Sequence, residues 1–248
     1  MRTFQQLAAT TLSIEMRPKG RRTAFYLVLL GAILLVQNTG FSQCDAKVGT
    51  VPIQFPVPGE GFVNVGSDGL KQLEINVPNS NRLLCAFLTS DDNARLVSPD
   101  QTPVMDRYMM VEVSKDSENS DTSDEEFKKL SDVMRNQFSD VADKVTKPMN
   151  DELNEKLKKL NSSEVKIDKP MPLGNFFSHP NAEGFGMVID YTESTGIRRV
   201  AMVAAFLKIR NRLVYVYVYS LYKDPTTIDW LKQKSESWCM SILAANES

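Results

Sequence analysis

Six consecutive residues near the C-terminus, Val214-Tyr215-Val216-Tyr217-Val218-Tyr219, limit the folds open to this chain more than any other stretch. Side chains of an extended strand alternate between two faces, so the three valines go to one side and the three tyrosines to the other. Both faces are then apolar or aromatic, and a strand of that kind must be covered on both. The preceding apolar run, 200–209, is separated from it by Arg210-Asn211-Arg212, which reads as a hairpin. Residues 185–191 read as a third strand, turned by Glu193-Ser194-Thr195-Gly196. Asp224-Pro225 then opens a helix whose stripe is Ile228, Leu231, Trp238 and Ile242, a face that packs on the sheet.

Upstream, the segment 51–58 is punctuated by prolines and reads as an edge or lead-in. Gly59-Glu60-Gly61 turns the chain into Phe62-Val63-Asn64-Val65, and 67–73 forms a short polar, helical piece. Leu83-Leu84-Cys85-Ala86-Phe87-Leu88 is a buried strand, and another runs from about Val104 to Val113. Asp91-Asp92-Asn93 and Ser98-Pro99-Asp100 have the composition of loops. Ser123 with Glu126 three residues later is a capping box, which opens a helix. Phe127, Leu130, Met134, Phe138, Val141 and Val145 follow as one apolar stripe. Pro148 is expected to stop or kink that helix, with Met149, Leu153, Leu157 and Leu160 continuing the stripe in a second. So regular a stripe faces a core; a partner-binding amphipathic helix is the alternative. The fold class expected is α+β: a twisted, mainly antiparallel sheet covered by helices on both faces.

The N-terminus is a different kind of sequence. Arg17, Lys19, Arg21 and Arg22 precede an unbroken apolar run, 24–36, and small or polar residues follow. This is the pattern of an export signal. Met16 begins a compact basic n-region and is the expected initiator. Gly40 and Ser42 stand at −3 and −1 of a cut between Ser42 and Gln43. The expected organisation is a signal peptide over 1–42 and a single α+β domain over 43–248. The apolar run is 13 residues long, whereas a spanning helix needs about 20. An anchor formed by an uncleaved signal is therefore the alternative to a periplasmic or extracellular protein. A lipidated Cys44 would also give membrane contact, but Gln43 stands where a lipobox needs a small residue.

Export moves the cysteines into an oxidising compartment. Cys85 and Cys239 form a possible disulfide tying the last helix to the sheet; two buried thiols acting as small hydrophobes are the other reading. Cys44 falls in the expected flexible start of the mature chain. The formal net charge is −2 and there is no basic stripe, so nucleic acid is not an expected partner. His179 is the single histidine, and Ser178 beside it forms no nucleophile–base pair by adjacency. One histidine and scattered cysteines make no zinc pattern. A calcium loop from Asp116 would need Gly at the sixth position and Glu at the twelfth, where Asp121 and Phe127 stand. No phosphate loop is present. No catalytic, cofactor-binding or metal-binding residue is expected.

The order of elements resembles the PsbP-like fold of photosystem extrinsic proteins and of small bacterial envelope lipoproteins of the DcrB kind. The likeness is carried by Pro58-Gly59-Glu60-Gly61-Phe62, by the 200–221 hairpin and by Trp238-Cys239-Met240-Ser241-Ile242. The resemblance implies a scaffold rather than a reaction, and it places no functional residue. The function expected is that of an exported, non-enzymatic envelope or secreted protein acting through an envelope protein partner or a small ligand. The alternative is an exported hydrolase with a carboxylate-based site. If a surface does the work, the polar segment 115–126 and the expected loop 169–184 are the places to look.

Overall fold

The Val/Tyr strand lies inside an eight-stranded sheet, as its two apolar faces require. The computed structural model describes residues 43–96, 105–159, 164–194 and 196–247, apart from the side chains of 138–143 and 145. Along the chain come β1 (Gln43–Val48), β2 (Val51–Pro56), β3 (Phe62–Asn64), and α1 (Gly66–Leu73), which runs into a 3-10 turn (Glu74–Asn76). Then follow β4 (Asn81–Thr89), α2 (Ser90–Leu96), β5 (Arg107–Ser114) and the long α3 (Asp124–Lys159). The last part holds β6 (Lys166–Ile167), β7 (Met171–His179), β8 (Ala182–Glu193), β9 (Gly196–Ile209), β10 (Arg212–Leu221) and α4 (Thr226–Ala245). The main sheet has the order β3-β4-β5-β10-β9-β8-β6, and β7 continues β6 along the same edge of β8. Its described pairings are antiparallel. The fold is α+β with helices on both faces, as expected.

Val214, Val216 and Val218 enter the main core with Val111, Val203 and Leu207, beneath Leu231, Trp238 and Ile242 of α4. Beside α4 the β1–β2 hairpin adds Val48, Ile53 and Phe55 to this core. Trp238 is 1 % exposed. It stands edge-on to Phe87 with ring centroids 5.5 Å apart, and its Nε1–H donates to the carbonyl of Pro56 at 2.8 Å. Burial without an unmet donor explains how the indole can sit there. On the same face Gly184 and Gly186 leave room for two rings: a Cβ at either would come 2.3 Å from Phe177 or 2.1 Å from Phe176.

The opposite face carries the tyrosines. Leu73 of α1 and Leu96 of α2 cover its β4–β5 end with Leu88 and Met110. Phe127 at the start of α3 packs on Phe185 and Phe206, and Leu153 near its end packs over Met187, Ile189 and Met202. Ser123 and Glu126 cap α3 reciprocally: the Glu126 N–H donates to Ser123 Oγ at 3.2 Å and the Ser123 N–H to Glu126 Oε2 at 2.8 Å.

Several expectations are corrected. Cys85 is disulfide-bonded to Cys44, and Cys239 is a buried free thiol. The flexible start imagined for Cys44 is instead β1, whose pairing with β2 brings Cys44 against β4. A thiol in a disulfide takes no lipid, so lipidated Cys44 and this bond exclude each other. Asp91 and Asp92 begin α2 rather than a loop, with the Asp92 N–H donating to Thr89 Oγ1 at 3.2 Å. The expected loop 169–184 is mostly β7 and the start of β8; Pro170 and Pro172 disguise an edge strand, the place where a sheet tolerates proline. In α3 the non-helical backbone is at Gln137 (φ −129°, ψ 15°), eleven residues before Pro148, and the helix continues through the proline. Ser42, Leu160 and the side chains of Phe138, Val141 and Val145 lie outside the described residues, as does the whole signal segment 1–42.

Candidate functional site

The residues that could do chemistry collect on the tyrosine face. Tyr217 and Tyr219 of β10, Tyr108 of the neighbouring β5 and Tyr191 of β8, one strand beyond β9, project to one side because the antiparallel registers keep a two-residue period across the sheet. Tyr108 and Tyr219 stand directly opposite one another and stack, with centroids 4.3 Å apart and planes 10° from parallel. Burial pushes all four phenols up, so they stay neutral hydrogen-bonding groups at physiological pH. Arg198 lies over the Tyr191 ring at 5.4 Å and pairs with Glu193 at 3.0 Å.

Glu112 sits among these rings, opposite Tyr215. It is 2 % exposed. Burial pushes its carboxyl up to about 7, against the opposing pull of a 2.9 Å hydrogen bond from Asn81 Nδ2 and of the charge on Lys156. Lys156 comes from α3, where it pairs with Glu152 at 2.8 Å and donates to the carbonyl of Val77. The sequence offered no signal for Glu112: the residue reads as one polar position in an apolar strand. Its register opposite the tyrosine strand is what gives it meaning.

Beside this floor, the last turns of α3 meet β6 and the β8–β9 turn in an open groove of about 730 Å³. Its lining includes Asn150, Asn154, Lys166, Thr192, Glu193 and Ser194. Hydroxyls, amides and three charged groups, Glu164, Lys166 and Glu193, suit polar recognition, and the Thr192 hydroxyl donates to the Asp168 carboxylate at 3.4 Å.

A second polar cluster is closed. Glu183, 0 % exposed, accepts two bonds from Arg135 of α3 at 2.7 Å each. Ser178 Oγ donates to it at 2.8 Å and Asn175 Nδ2 at 2.5 Å. A buried carboxylate so fully bonded locks α3 to β7 and β8 and leaves nothing for a substrate. Ser178 is committed to this cluster, whereas the neighbouring His179 ring meets Glu236 of α4 at 3.0 Å. Strand alternation separates the two side chains that adjacency in sequence brought together. In the largely exposed polar run 115–126, Glu118 pairs with Arg82 at 2.6 Å and Asp121 with Arg212 at 3.1 Å. Burial pushes the Cys239 thiol up, which keeps it unreactive. Among the described residues no group of three metal-ligating side chains converges, and no helix is long and apolar enough to cross a membrane.

No protein-family model matches this chain, and no curated protein matches it in sequence. Solved structures with distant likeness include the cyanobacterial PsbP protein CyanoP of Synechocystis sp. PCC 6803. It is 11 % identical with a TM-score of 0.36, over 85 % of this chain and 96 % of that one. The Ran-binding protein Mog1p of Saccharomyces cerevisiae is 12 % identical with a TM-score of 0.27, over 83 % and 90 % of the two chains. These likenesses are distant ones of fold, and they assign no role to any residue here.

Proposed function

We propose that this chain is an exported, non-enzymatic protein of the cell envelope or its exterior, PsbP-like in shape. It works by holding an envelope protein partner or a small ligand at the groove between α3, β6 and the β8–β9 turn. The observation that carries the reading is the groove itself: open, lined by amides and hydroxyls, and continuous in sequence with the Tyr191–Arg198 edge of the aromatic floor. Such a surface offers hydrogen bonds and ionic contacts to a partner or ligand. The export pattern before Gln43 and a disulfide between Cys44 and Cys85 support an oxidising location together.

The test is affinity capture from the chain's own envelope with wild type and Thr192→Arg, which fills the groove from its rim. Loss of a captured partner or ligand in the variant supports the reading; identical capture removes the groove from it. Glu112 favours one second reading, an exported hydrolase, because a carboxyl held near 7 can serve as a general acid. Turnover in an unbiased hydrolase screen that Glu112→Gln abolishes would replace the binding reading with the enzymatic one.

A further inference from the structure

Asn150 and Asn154 stand one turn apart on α3 and hold the main chain of the segment that contains β6. Asn150 Oδ1 accepts from the Ile167 N–H at 2.6 Å, and its Nδ2 donates to the Ile167 carbonyl at 2.7 Å. Asn154 does the same for Val165, accepting at 2.9 Å and donating at 2.8 Å. A carboxamide carries the donor and acceptor of a peptide unit, so each asparagine replaces one residue of a neighbouring strand. The spacings match: four residues along a helix rise about 6 Å, and two along a strand about 6.6 Å. On its other side the segment pairs with β8, Lys166 opposite Thr192 and Ile167 opposite Tyr191. An extended chain is thus read through its backbone from both sides.

Very little of its sequence is read. Ile167 is the buried side chain, against Leu153, Met187 and Ile189; Lys166 points outward and pairs with the neighbouring Asp168 at 2.6 Å. The groove of about 730 Å³ borders the segment through Glu164, Val165 and Lys166. A second cavity of about 490 Å³ borders it through Lys166, Ile167 and Asp168. The same device elsewhere in the molecule looks different. Asn246 clamps Gln54 of β2 by a 3.0 Å and a 2.8 Å bond, but Asn246 is 5 % exposed and β2 pairs with β1 over six residues. β6 is paired over two, with one further backbone bond from the Asp168 N–H to the Asp190 carbonyl at 2.9 Å before the chain enters β7.

We propose that residues 164–168 are an exchangeable strap in a slot built for an extended polypeptide. The partner contributes a strand that replaces it, antiparallel to β8, clamped by Asn150 and Asn154, with an aliphatic side chain in the Ile167 position. This rests on the binding reading above and names its partner class: a main-chain-read, extended segment with one apolar anchor. β-strand addition to a sheet edge supplies the affinity, and the anchor supplies the selectivity.

The probe is a fluorescent synthetic peptide carrying residues 163–169, followed by anisotropy against the full exported chain. Ile167→Gly, which loosens the internal strap, is expected to bind it at least tenfold more tightly than wild type. Adding Asn150→Ala and Asn154→Ala is expected to abolish that binding, and a peptide with Asp in the Ile167 position is expected not to bind. An Ile167→Gly protein with native near-ultraviolet circular dichroism that takes no peptide overturns the proposal. So does binding indifferent to the asparagines, or a shift to dimer, which would give the slot to a second copy. Hydrogen exchange on wild type covers the case of a variant that does not fold. The amides of Val165 and Ile167 should exchange at least a hundredfold faster than that of Val216, and equal protection overturns the proposal. Peptide binding that fails while Thr192→Arg still blocks envelope capture sinks the strap and leaves the binding reading standing.

Discussion

The two faces of β10 are made by the same ten residues and behave as different materials. The valine face is apolar, closed by α4 and the β1–β2 hairpin, and its largest member, Trp238, spends its one polar atom on a backbone carbonyl. The tyrosine face is roofed by α1, α2 and α3, and it keeps five phenols, Glu112 and the Arg198–Glu193 pair. Close packing makes small changes in volume felt, so the first face carries much of the fold's stability. Groups with hydrogen-bonding capacity persist on the second, and the groove opens beside it.

The comparison breaks most visibly if the valine face proves soft. Trp238→Ala should cost about 3–5 kcal/mol in chemical denaturation, the range for truncating a buried aromatic. A loss under about 0.5 kcal/mol would mean that α4 is docked otherwise. The disulfide belongs to the same face and closes a loop of 41 residues in sequence separation. Cys44→Ser with Cys85→Ser should cost about 2–4 kcal/mol, mostly by freeing the unfolded chain. Mass mapping of the oxidised protein should show Cys44 joined to Cys85 and Cys239 alkylated only after unfolding.

Much of this difference was legible in the sequence. The Val/Tyr alternation announced two covered faces, the Ile228–Ile242 stripe announced α4, and Ser123 with Glu126 marked the first residue of α3. The partner of Cys85 was not legible, because pairing depends on where the β1–β2 hairpin lands and not on composition. β7 stayed hidden behind Pro170 and Pro172, since local rules read such prolines as loop while an edge strand can carry them. The candidate site was the least legible part. Glu112 and the Asn150–Asn154 ladder acquire their roles only through register and through a helix that returns to the sheet edge, and both are long-range facts.

Glu112 tests the tyrosine face through its pH response. Its carboxyl is raised in the fold from 4.5 to about 7, so the folded state holds the proton more tightly than the unfolded state. The stability this contributes is complete below pH 4.5 and is lost as pH rises through about 7, a swing of about 3 kcal/mol. Glu112→Gln keeps an acceptor for Asn81 and cannot ionise. Relative to wild type it should be more stable at pH 8 by up to that amount, with the gap closing at pH 4.5. A difference between the two proteins that does not change with pH would mean that Glu112 is solvated and the face is open to water beneath α3.

The smallest expected effect sharpens the comparison most. Tyr217→Phe and Tyr219→Phe remove a hydroxyl and leave the ring, and neither phenol is bonded to another described residue. Rings such as Tyr219 on Tyr108 should therefore go on stacking, and each change should alter stability by less than about 0.5 kcal/mol. A Val216→Ala change on the opposite face of the same strand removes two buried methyl groups and should cost more, on the order of 1–3 kcal/mol. If the tyrosine hydroxyls serve recognition, the two phenylalanine variants should weaken capture of the envelope partner or ligand while melting like wild type. Val216→Ala should do the reverse, losing stability and binding normally at temperatures where it is folded. Phenylalanine variants that lose as much stability as Val216→Ala would make the phenols part of the core, and the two faces would then differ in composition but not in purpose.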